Sequence, residues 1–372
     1  MTDSTGPSNT PAVGPDTIPA GSDSLLELLY RQAFDPLPLR SGLHLVHVPF
    51  DELTHSATTE AALLRAVHTG SRVGVTGPSG AGKSSMIGYA LEQVLDEVAV
   101  LRVPVEAEDP DTVREPAAFA AHMLNELARQ AVRAGQLSKR EREAAQRAGA
   151  ASVTIERRRV TRGGLGLPTW LLRADLGAES QSVLSTRAPR SAAGTLETLT
   201  QLMEVLSGWG LLPVVLIDDS DAWLQTPAGD RRDLVAPFFG RVLRDLVEEL
   251  DCGWVVAVHD HYLDQPGFPH DGTLQSRVAV PRLPSSDALG EILGARIRAT
   301  RLGSDAAPPA LPAVFESAAV DALFKAYLRG YGNVRTPVQL AHAALEAACG
   351  DGAEIITVRH VEVALTRFQP ES

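Results

Sequence analysis

The segment GVTGPSGAGKSSMIGYAL, residues 74–91, contains a glycine-rich turn between an apolar stretch and a helical one. Its centre fits the phosphate-loop pattern GxxxxGK[ST], in which backbone N–H groups surround an anion at a helix N-terminus. In such loops the lysine neutralises phosphate charge and the following hydroxyl binds Mg²⁺. The segment predicts phosphate binding by nine consecutive residues, with Mg²⁺ on Ser84: Gly77, Pro78, Ser79, Gly80, Ala81, Gly82, Lys83, Ser84 and Ser85.

A second motif, VVLIDD at residues 214–219, is an apolar strand that ends in two carboxylates. Beside a phosphate loop, Asp218 is expected to hold Mg²⁺ through its water shell. Asp219 is then the candidate to orient or deprotonate the attacking water. The competing interpretation is a buried strand that runs into an acidic loop.

Composition restricts the remaining possibilities. The chain has 372 residues, a net charge of −12 and two cysteines, Cys252 and Cys349. The pI of about 5.3 argues against a nucleic-acid-binding surface over the whole chain. Two distant cysteines suggest neither a disulfide framework nor a zinc site. We expect a cytoplasmic protein, because neither a secretory signal nor a membrane span is visible in the sequence.

The pattern along the chain predicts an α/β protein with a separate helical part. Residues 1–23 are rich in Pro, Gly, Ser and Thr, which is typical of a disordered tail. In residues 24–283 strands alternate with helices, which predicts a parallel sheet covered on both faces. LHLVHVPF at 43–50 is expected to be extended, and an insertion is expected at about 138–190. Residues 284–372 show helical patterns and predict a lid.

With these motifs in place, the chain resembles the AAA+ ATPases over about residues 43–368. It looks closest to the branch of archaeal replication initiators and STAND switch ATPases. The resemblance rests on the two motifs above, on VVAVHDH at 255–261, and on Gly332-Asn333-Val334-Arg335 in the lid. It implies a P-loop core, Mg·ATP between core and lid, and assembly in the ATP-loaded state.

The resemblance also implies roles for single residues. The polar residue after the fourth core strand, which senses the γ-phosphate in the family, is His259 or Asp260. The lid arginine that reaches the γ-phosphate is Arg335, and the arginine presented to a neighbouring subunit is Arg277. Without the family resemblance, Arg277 fits equally well as a surface arginine that pairs with a nearby acidic residue. The pair His259 and His261 is a weak candidate for a metal site.

Two features depart from the family. The second carboxylate is Asp219 where a glutamate is usual, so we expect slow hydrolysis, as in a monomeric STAND-like switch. The chain shows no winged-helix DNA-binding segment after the lid, which disfavours a replication initiator.

A basic segment from Lys139 to Arg162 leaves the biological role open. Within residues 138–162, eight basic residues face three glutamates, which gives +5 against −17 for the rest of the chain. One hypothesis is that it recruits a partner protein for a remodelling or signalling switch. A second is that it contacts DNA phosphates, as in transposition or defence helpers, and a third is a solvated helix face. Aromatic residues that could stack bases are absent between residues 137 and 168, which weakens a single-strand contact.

Overall fold

The structure is a computed structural model that describes residues 20–35, 46–54, 58–104, 112–133, 154–158, 181–185, 192–208, 210–218, 232–265, 268, 272–300 and 307–368. The strands within these residues are, in chain order, β1 Arg72–Thr76, β2 Val98–Pro104, β3 Thr154–Arg158, β4 Gln181–Ser185, β5 Leu212–Asp218, β6 Gly253–Val258 and β7 Ser276–Ala279. β3 and β4 pair with each other in antiparallel fashion inside the expected insertion.

The other five strands form one sheet in the order β2-β5-β6-β1-β7. Every pair in this sheet is parallel, as the sequence predicted. β6 lies between β1 and β5, so the strand before the phosphate loop and the acidic strand are not neighbours. Because the strands are parallel, the residues that follow β1, β5 and β6 all lie at the same edge of the sheet.

Alternate residues of each strand point to opposite faces of the sheet, and each face has its own apolar cluster. Val214 and Leu216 belong to one cluster, whereas Val215 and Ile217 belong to the other. Strands that are apolar on both faces are typical of a parallel sheet covered by helices. The near-continuous apolar runs of the sequence are explained by this double burial.

The helices of the α/β part are α1 Ala20–Tyr30, α2 Phe50–Thr54, α3 Thr59–His68, α4 Lys83–Glu92, α5 Pro116–Arg133, α6 Ala192–Gly208, α7 Val235–Pro237, α8 Leu243–Glu249 and α9 Asp260–Leu263. Helices α3 and α4 contribute to the first apolar cluster, and α5 and α6 contribute to the second. A 3-10 turn, Arg232–Leu234, precedes α7, and a π-helical turn, Phe238–Val242, joins α7 to α8.

The extended segment expected at residues 43–50 is not a strand in its described part. Residues 47–49 have no regular structure, and Phe50 begins α2. Pro49 cannot donate to a strand ladder, and its carbonyl instead accepts from the N–H groups of Glu52 and Leu53. The alternating pattern of this segment is therefore overridden by a helix start.

The C-terminal part of the described chain contains α10 Ser286–Ala299, α11 Leu311–Val314, α12 Ser317–Arg329, α13 Arg335–Gly350 and α14 Val358–Phe368. These helices pack on one another, and their buried side chains join the apolar cluster of the first sheet face. The name lid is used below for these five helices.

Helix α1 packs against α13 of the lid, although it precedes the first strand of the sheet in the sequence. Leu25 and Leu28 are buried in the shared cluster, and the ring of Phe34 meets that of Phe315 edge to face at 5.5 Å. α1 begins at Ala20, so the last four residues of the expected tail are helical and residues 1–19 lie outside the described chain. In the part of the chain that the structure describes, no helix has the length and apolarity needed to cross a membrane.

Candidate nucleotide-binding site

The turn between β1 and α4 has the geometry of a phosphate-binding loop. The N–H of Gly77 donates to the carbonyl of Val258 at 3.3 Å, which fixes the start of the loop to β6. Gly80 and Gly82 have φ of +73° and +107°, a region that residues with a side chain rarely adopt. Gly82 directly precedes α4, so the loop leads into the positive end of the helix dipole.

Lys83 is the first residue of α4 and is only 5% exposed. Its Nζ donates to the carbonyls of Gly77 (2.8 Å) and Pro78 (3.0 Å), both within the loop. A buried ammonium needs acceptors, and in this arrangement the loop itself supplies them. The lysine is thus held over the loop, where it can bind phosphate oxygens.

The structure brings Ser84 and Asp218 together from opposite sides of β6. The hydroxyl of Ser84 donates to Asp218 Oδ1 at 3.0 Å. Asp218 is the last residue of β5, and Ser84 is the second residue of α4, so the two strand ends and the loop converge at this point. Asp219, the candidate for the attacking water, lies outside the described residues.

The donor set fits Mg²⁺. A hydroxyl and a carboxylate are hard oxygen ligands, and Mg²⁺ usually takes one or two carboxylates together with phosphate oxygens and water. Within the described ranges, no group of three or more His, Cys, Asp and Glu side chains could hold a metal ion by itself. The weak metal hypothesis for His259 and His261 therefore has no third protein ligand among those residues.

His259 follows β6 at the same edge of the sheet, between the ends of β1 and β5. It precedes α9, and its Nδ1 accepts from the N–H of His261 at 3.1 Å. Asp260 begins α9 and is exposed. Since His259 is the partly buried member of the pair, the position supports His259 over Asp260 as the γ-phosphate sensor, a role that stays a prediction.

The lid reaches the phosphate loop at the start of α13. The N–H groups of Val334 and Arg335 donate to the carbonyl of Gly80 at 2.9 and 3.2 Å. The main chain of Arg335 therefore lies on the loop, as expected of a lid arginine, while its side chain is exposed. The γ-phosphate contact of the guanidinium stays a prediction.

Arg277 is not brought to the phosphate loop of its own chain. It lies on β7, an edge strand, level with Gly74 of β1 and therefore before the strand ends that form the site. Its guanidinium carbon is 5.4 Å from the centre of the Phe268 ring, a cation–π contact. A contact with nucleotide would have to be made across an interface with another subunit.

A buried polar network that no sequence motif indicated lies behind the loop. His47 Nδ1 is 3.1 Å from Ser85 Oγ, and His47 Nε2 is 3.1 Å from Glu60 Oε1. The side chains of His47 and Glu60 are only 3% and 7% exposed. The ring of Phe50 lies against Gly82, and that of Tyr89 is 4.8 Å from His47. This network connects the phosphate-loop helix to α2 and α3.

Glu60 is the charged centre of this network. Burial disfavours its ionised form, but hydrogen bonds from His47 and from the N–H of Phe50 outweigh burial, so that the pKa of Glu60 is lowered from its usual value of 4.5. The N–H groups of Phe50 and Asp51 reach its two carboxylate oxygens at 2.6 and 3.3 Å. Burial, together with the charge of Glu60, raises the pKa of Asp51. The surroundings therefore favour the ionised form of Glu60 and disfavour that of Asp51.

Strand order, phosphate loop, acidic strand and lid together define a P-loop nucleotide-binding fold of AAA+ type. The fold class predicted from the motifs is confirmed.

No protein-family model matches the chain, and no curated protein matches it. Among solved structures, the Aeropyrum pernix ORC1 protein in complex with DNA matches at 16% identity with a TM-score of 0.49, covering 91% of this chain and 69% of that one. The Aeropyrum pernix ORC2 protein in its ADP form matches at 14% identity with a TM-score of 0.46, covering 90% and 72%. Cdc6p from Pyrobaculum aerophilum matches at 12% identity with a TM-score of 0.44, covering 96% and 69%.

Proposed function

We propose that this chain binds Mg·ATP between the α/β core, residues 24–283, and the lid, residues 284–372, hydrolyses it slowly, and uses the change in lid position to act on a partner protein. In this proposal the phosphate loop holds the β- and γ-phosphates, and Lys83 neutralises their charge. Ser84 and Asp218 hold Mg²⁺, which offsets the negative charge that develops on the phosphates.

The observation that carries the proposal is the contact of Ser84 with Asp218 at 3.0 Å, next to a buried lysine that is already turned over the loop. These residues are 134 positions apart in the chain. An acidic loop with no role in catalysis has no reason to meet this serine. The contact favours a site for metal and phosphate over the alternative, a buried strand that runs into an acidic loop without a function.

Hydrolysis requires a group that orients the attacking water, and we assign this role to Asp219, the residue after Asp218. Because aspartate is one methylene shorter than the usual glutamate, its carboxylate reaches less far and slow turnover is expected. His259 is placed to sense the γ-phosphate. Arg335 is assigned to the same phosphate from the lid, so ATP and ADP would favour different lid positions.

In this proposal the ATPase cycle acts on a partner protein, which the basic segment from Lys139 to Arg162 recruits. The same segment can be tested for DNA by measuring binding over a salt series, because phosphate contacts weaken steeply with salt. A steep salt slope that disappears when arginines 157–159 are replaced would favour the DNA-associated ATPase. ATP-dependent assembly of several copies is part of the proposal, with Arg277 acting on the neighbour's nucleotide.

The proposal is tested by calorimetric titration with ATP in the presence and absence of Mg²⁺. The parent is expected to bind ATP more tightly with Mg²⁺, and Asp218→Asn and Ser84→Ala are expected to lose that difference. Asp233→Asn, an exposed carboxylate paired with Arg114, is the matched control and should behave as the parent. If Mg²⁺ has no effect on ATP binding by the parent, the assigned metal site is wrong.

A further inference from the structure

The lid meets the phosphate loop at the carbonyl of Gly80. Two consecutive N–H groups at the start of α13, of Val334 and Arg335, donate to it at 2.9 and 3.2 Å. The N–H groups of the first turn of a helix have no partner within the helix, so they are free to bind an acceptor outside it. Here that acceptor is the main chain of the phosphate loop itself.

Asn333, two residues before the first residue of α13, organises this contact. Its Oδ1 accepts from the N–H of Arg335 at 2.8 Å and from that of Thr336 at 3.3 Å. The N–H of Arg335 is therefore shared between the Asn333 amide and the Gly80 carbonyl. Asn333 is itself fixed, since its own N–H donates to the carbonyl of Gly330 at 3.1 Å.

The fit between Asn333 and Gly80 leaves no room for a side chain on the loop. A Cβ at residue 80 would overlap Asn333 Oδ1, and it would lie 2.8 Å from Asn333 Cγ and 2.9 Å from Arg335 Cβ. These neighbours are near the main chain and cannot swing away as the end of a long side chain could. Glycine at residue 80 thus serves the lid contact as well as the positive φ of the loop.

We propose that Asn333 is a positioning residue that couples the phosphate loop to the lid through the carbonyl of Gly80. The docked lid fixes the peptide that follows Gly80 by binding its oxygen, and the N–H of the same peptide, that of Ala81, donates to the carbonyl of Pro78 at 3.2 Å within the loop. Docking therefore holds this peptide of the phosphate loop in one orientation, and a nucleotide that binds this loop conformation in turn favours the docked lid, because coupling between two sites is reciprocal. This inference rests on the proposed function.

The first test measures docking without nucleotide, by hydrogen–deuterium exchange of the amides at the start of α13. Gly80→Ala should undock the lid and speed exchange at Val334 and Arg335. Gly272→Ala is the matched control: it places alanine at a φ of +88° with no other atom within 4 Å of the new Cβ, so it carries similar backbone strain without the overlap. Equal exchange in Gly80→Ala and the parent would overturn the docking contact.

The second test measures coupling through release of a fluorescent ATP analogue in a stopped-flow experiment. Asn333→Ala removes the amide cap and should speed release about fivefold, the usual effect of losing one such cap. Asn333→Asp keeps an oxygen for the same two N–H groups and should restore slow release. Asn125→Ala, on α5, is the control for substitution of an asparagine far from the lid.

The outcomes separate the inference from the function on which it rests. If the parent binds the analogue but Asn333→Ala releases it at the parent's rate, the coupling role is overturned and ATP binding stands. If the parent does not bind the analogue, the proposed function and the coupling both fail, and the exchange comparison still decides whether the lid is docked on Gly80.

Discussion

Replacing Glu60 by glutamine removes one buried charge and leaves the size of the side chain unchanged. In the parent, the carboxylate accepts from His47 at 3.1 Å, from the N–H of Phe50 at 2.6 Å and from that of Asp51 at 3.3 Å. Glutamine offers one oxygen and one NH₂ group. One of the three donors would then face another donor, and the remaining bonds would lose their charge.

The expected cost follows from the number of bonds changed. A hydrogen bond to a charged group contributes about 1.5–3 kcal/mol, and a buried donor left without an acceptor costs about 1–3 kcal/mol. Part of this loss of stability is offset, because glutamine carries no charge and avoids the cost of burying one. We therefore expect Glu60→Gln to lower the free energy of unfolding by about 2 kcal/mol at pH 7.

The effect should depend on pH in a defined direction. The folded-state pKa of Glu60 is lowered from 4.5, because hydrogen bonds outweigh burial. A lowered carboxyl pKa contributes stability that is present above the unfolded value and lost as pH falls through the folded value. The difference between parent and Glu60→Gln should thus be largest near pH 7 and shrink below pH 4.5.

The assay is urea unfolding of both proteins at several pH values between about 7 and 4, with the midpoint and slope recorded. Glu97→Gln is the matched control, since Glu97 pairs with His68 at 3.0 Å on the surface, where the two side chains are 66% and 42% exposed. Such an exposed pair contributes about 0–1 kcal/mol. A loss of stability in Glu60→Gln no larger than that in Glu97→Gln, or one that grows as the pH falls, would refute the role given to the buried carboxylate.

Three further predictions concern the site and the thiols. Asp219→Asn should keep ATP binding and lose turnover, and turnover at the parent's rate would move the base elsewhere, with Asp221 the next candidate. Arg277→Ala should reduce turnover only where subunits meet, so mixing this variant with Asp219→Asn should restore activity. Arg335→Ala should weaken lid closure even in a dilute monomer. A specific activity that stays constant on dilution, together with an Arg277→Ala variant as active as the parent, would contradict assembly. Burial raises the pKa of Cys252 to about 12 and also raises that of the half-buried Cys349. In the native protein at pH 8, a thiol reagent should therefore leave Cys252 unmodified and modify Cys349 slowly. Rapid modification of both cysteines would contradict the packing.

The sheet and the approach of Ser84 to Asp218 could be predicted from the sequence because both depend on local patterns. Apolar runs such as residues 214–217 locate the strands, and parallel order places the ends of β1 and β5 at one edge. The meeting of Ser84 with Asp218 follows from that order. The helical region at residues 232–249 is less regular than such patterns indicate, because the π-helical turn Phe238–Val242 follows Pro237, whose missing N–H interrupts the helical hydrogen bonds.

Contacts that depend on the approach of distant segments were not predictable. His47, Glu60 and Ser85 carry no motif, and they meet only because α2 and α3 fold against α4. Likewise, GNVR indicated a lid arginine but not that Asn333 would lie on Gly80. Such contacts are selected by packing in three dimensions, and no periodicity in the sequence records them.

The central claim, that this loop binds the phosphates of ATP, is tested most directly by calorimetric titration of Lys83→Ala with Mg·ATP. The variant should remain folded, because it removes a charge and adds no volume, and Lys325→Ala on the exposed face of α12 controls for the loss of a lysine. The account predicts that Lys83→Ala shows no detectable ATP binding while Lys325→Ala binds as the parent does. ATP affinity unchanged in a folded Lys83→Ala variant would contradict it.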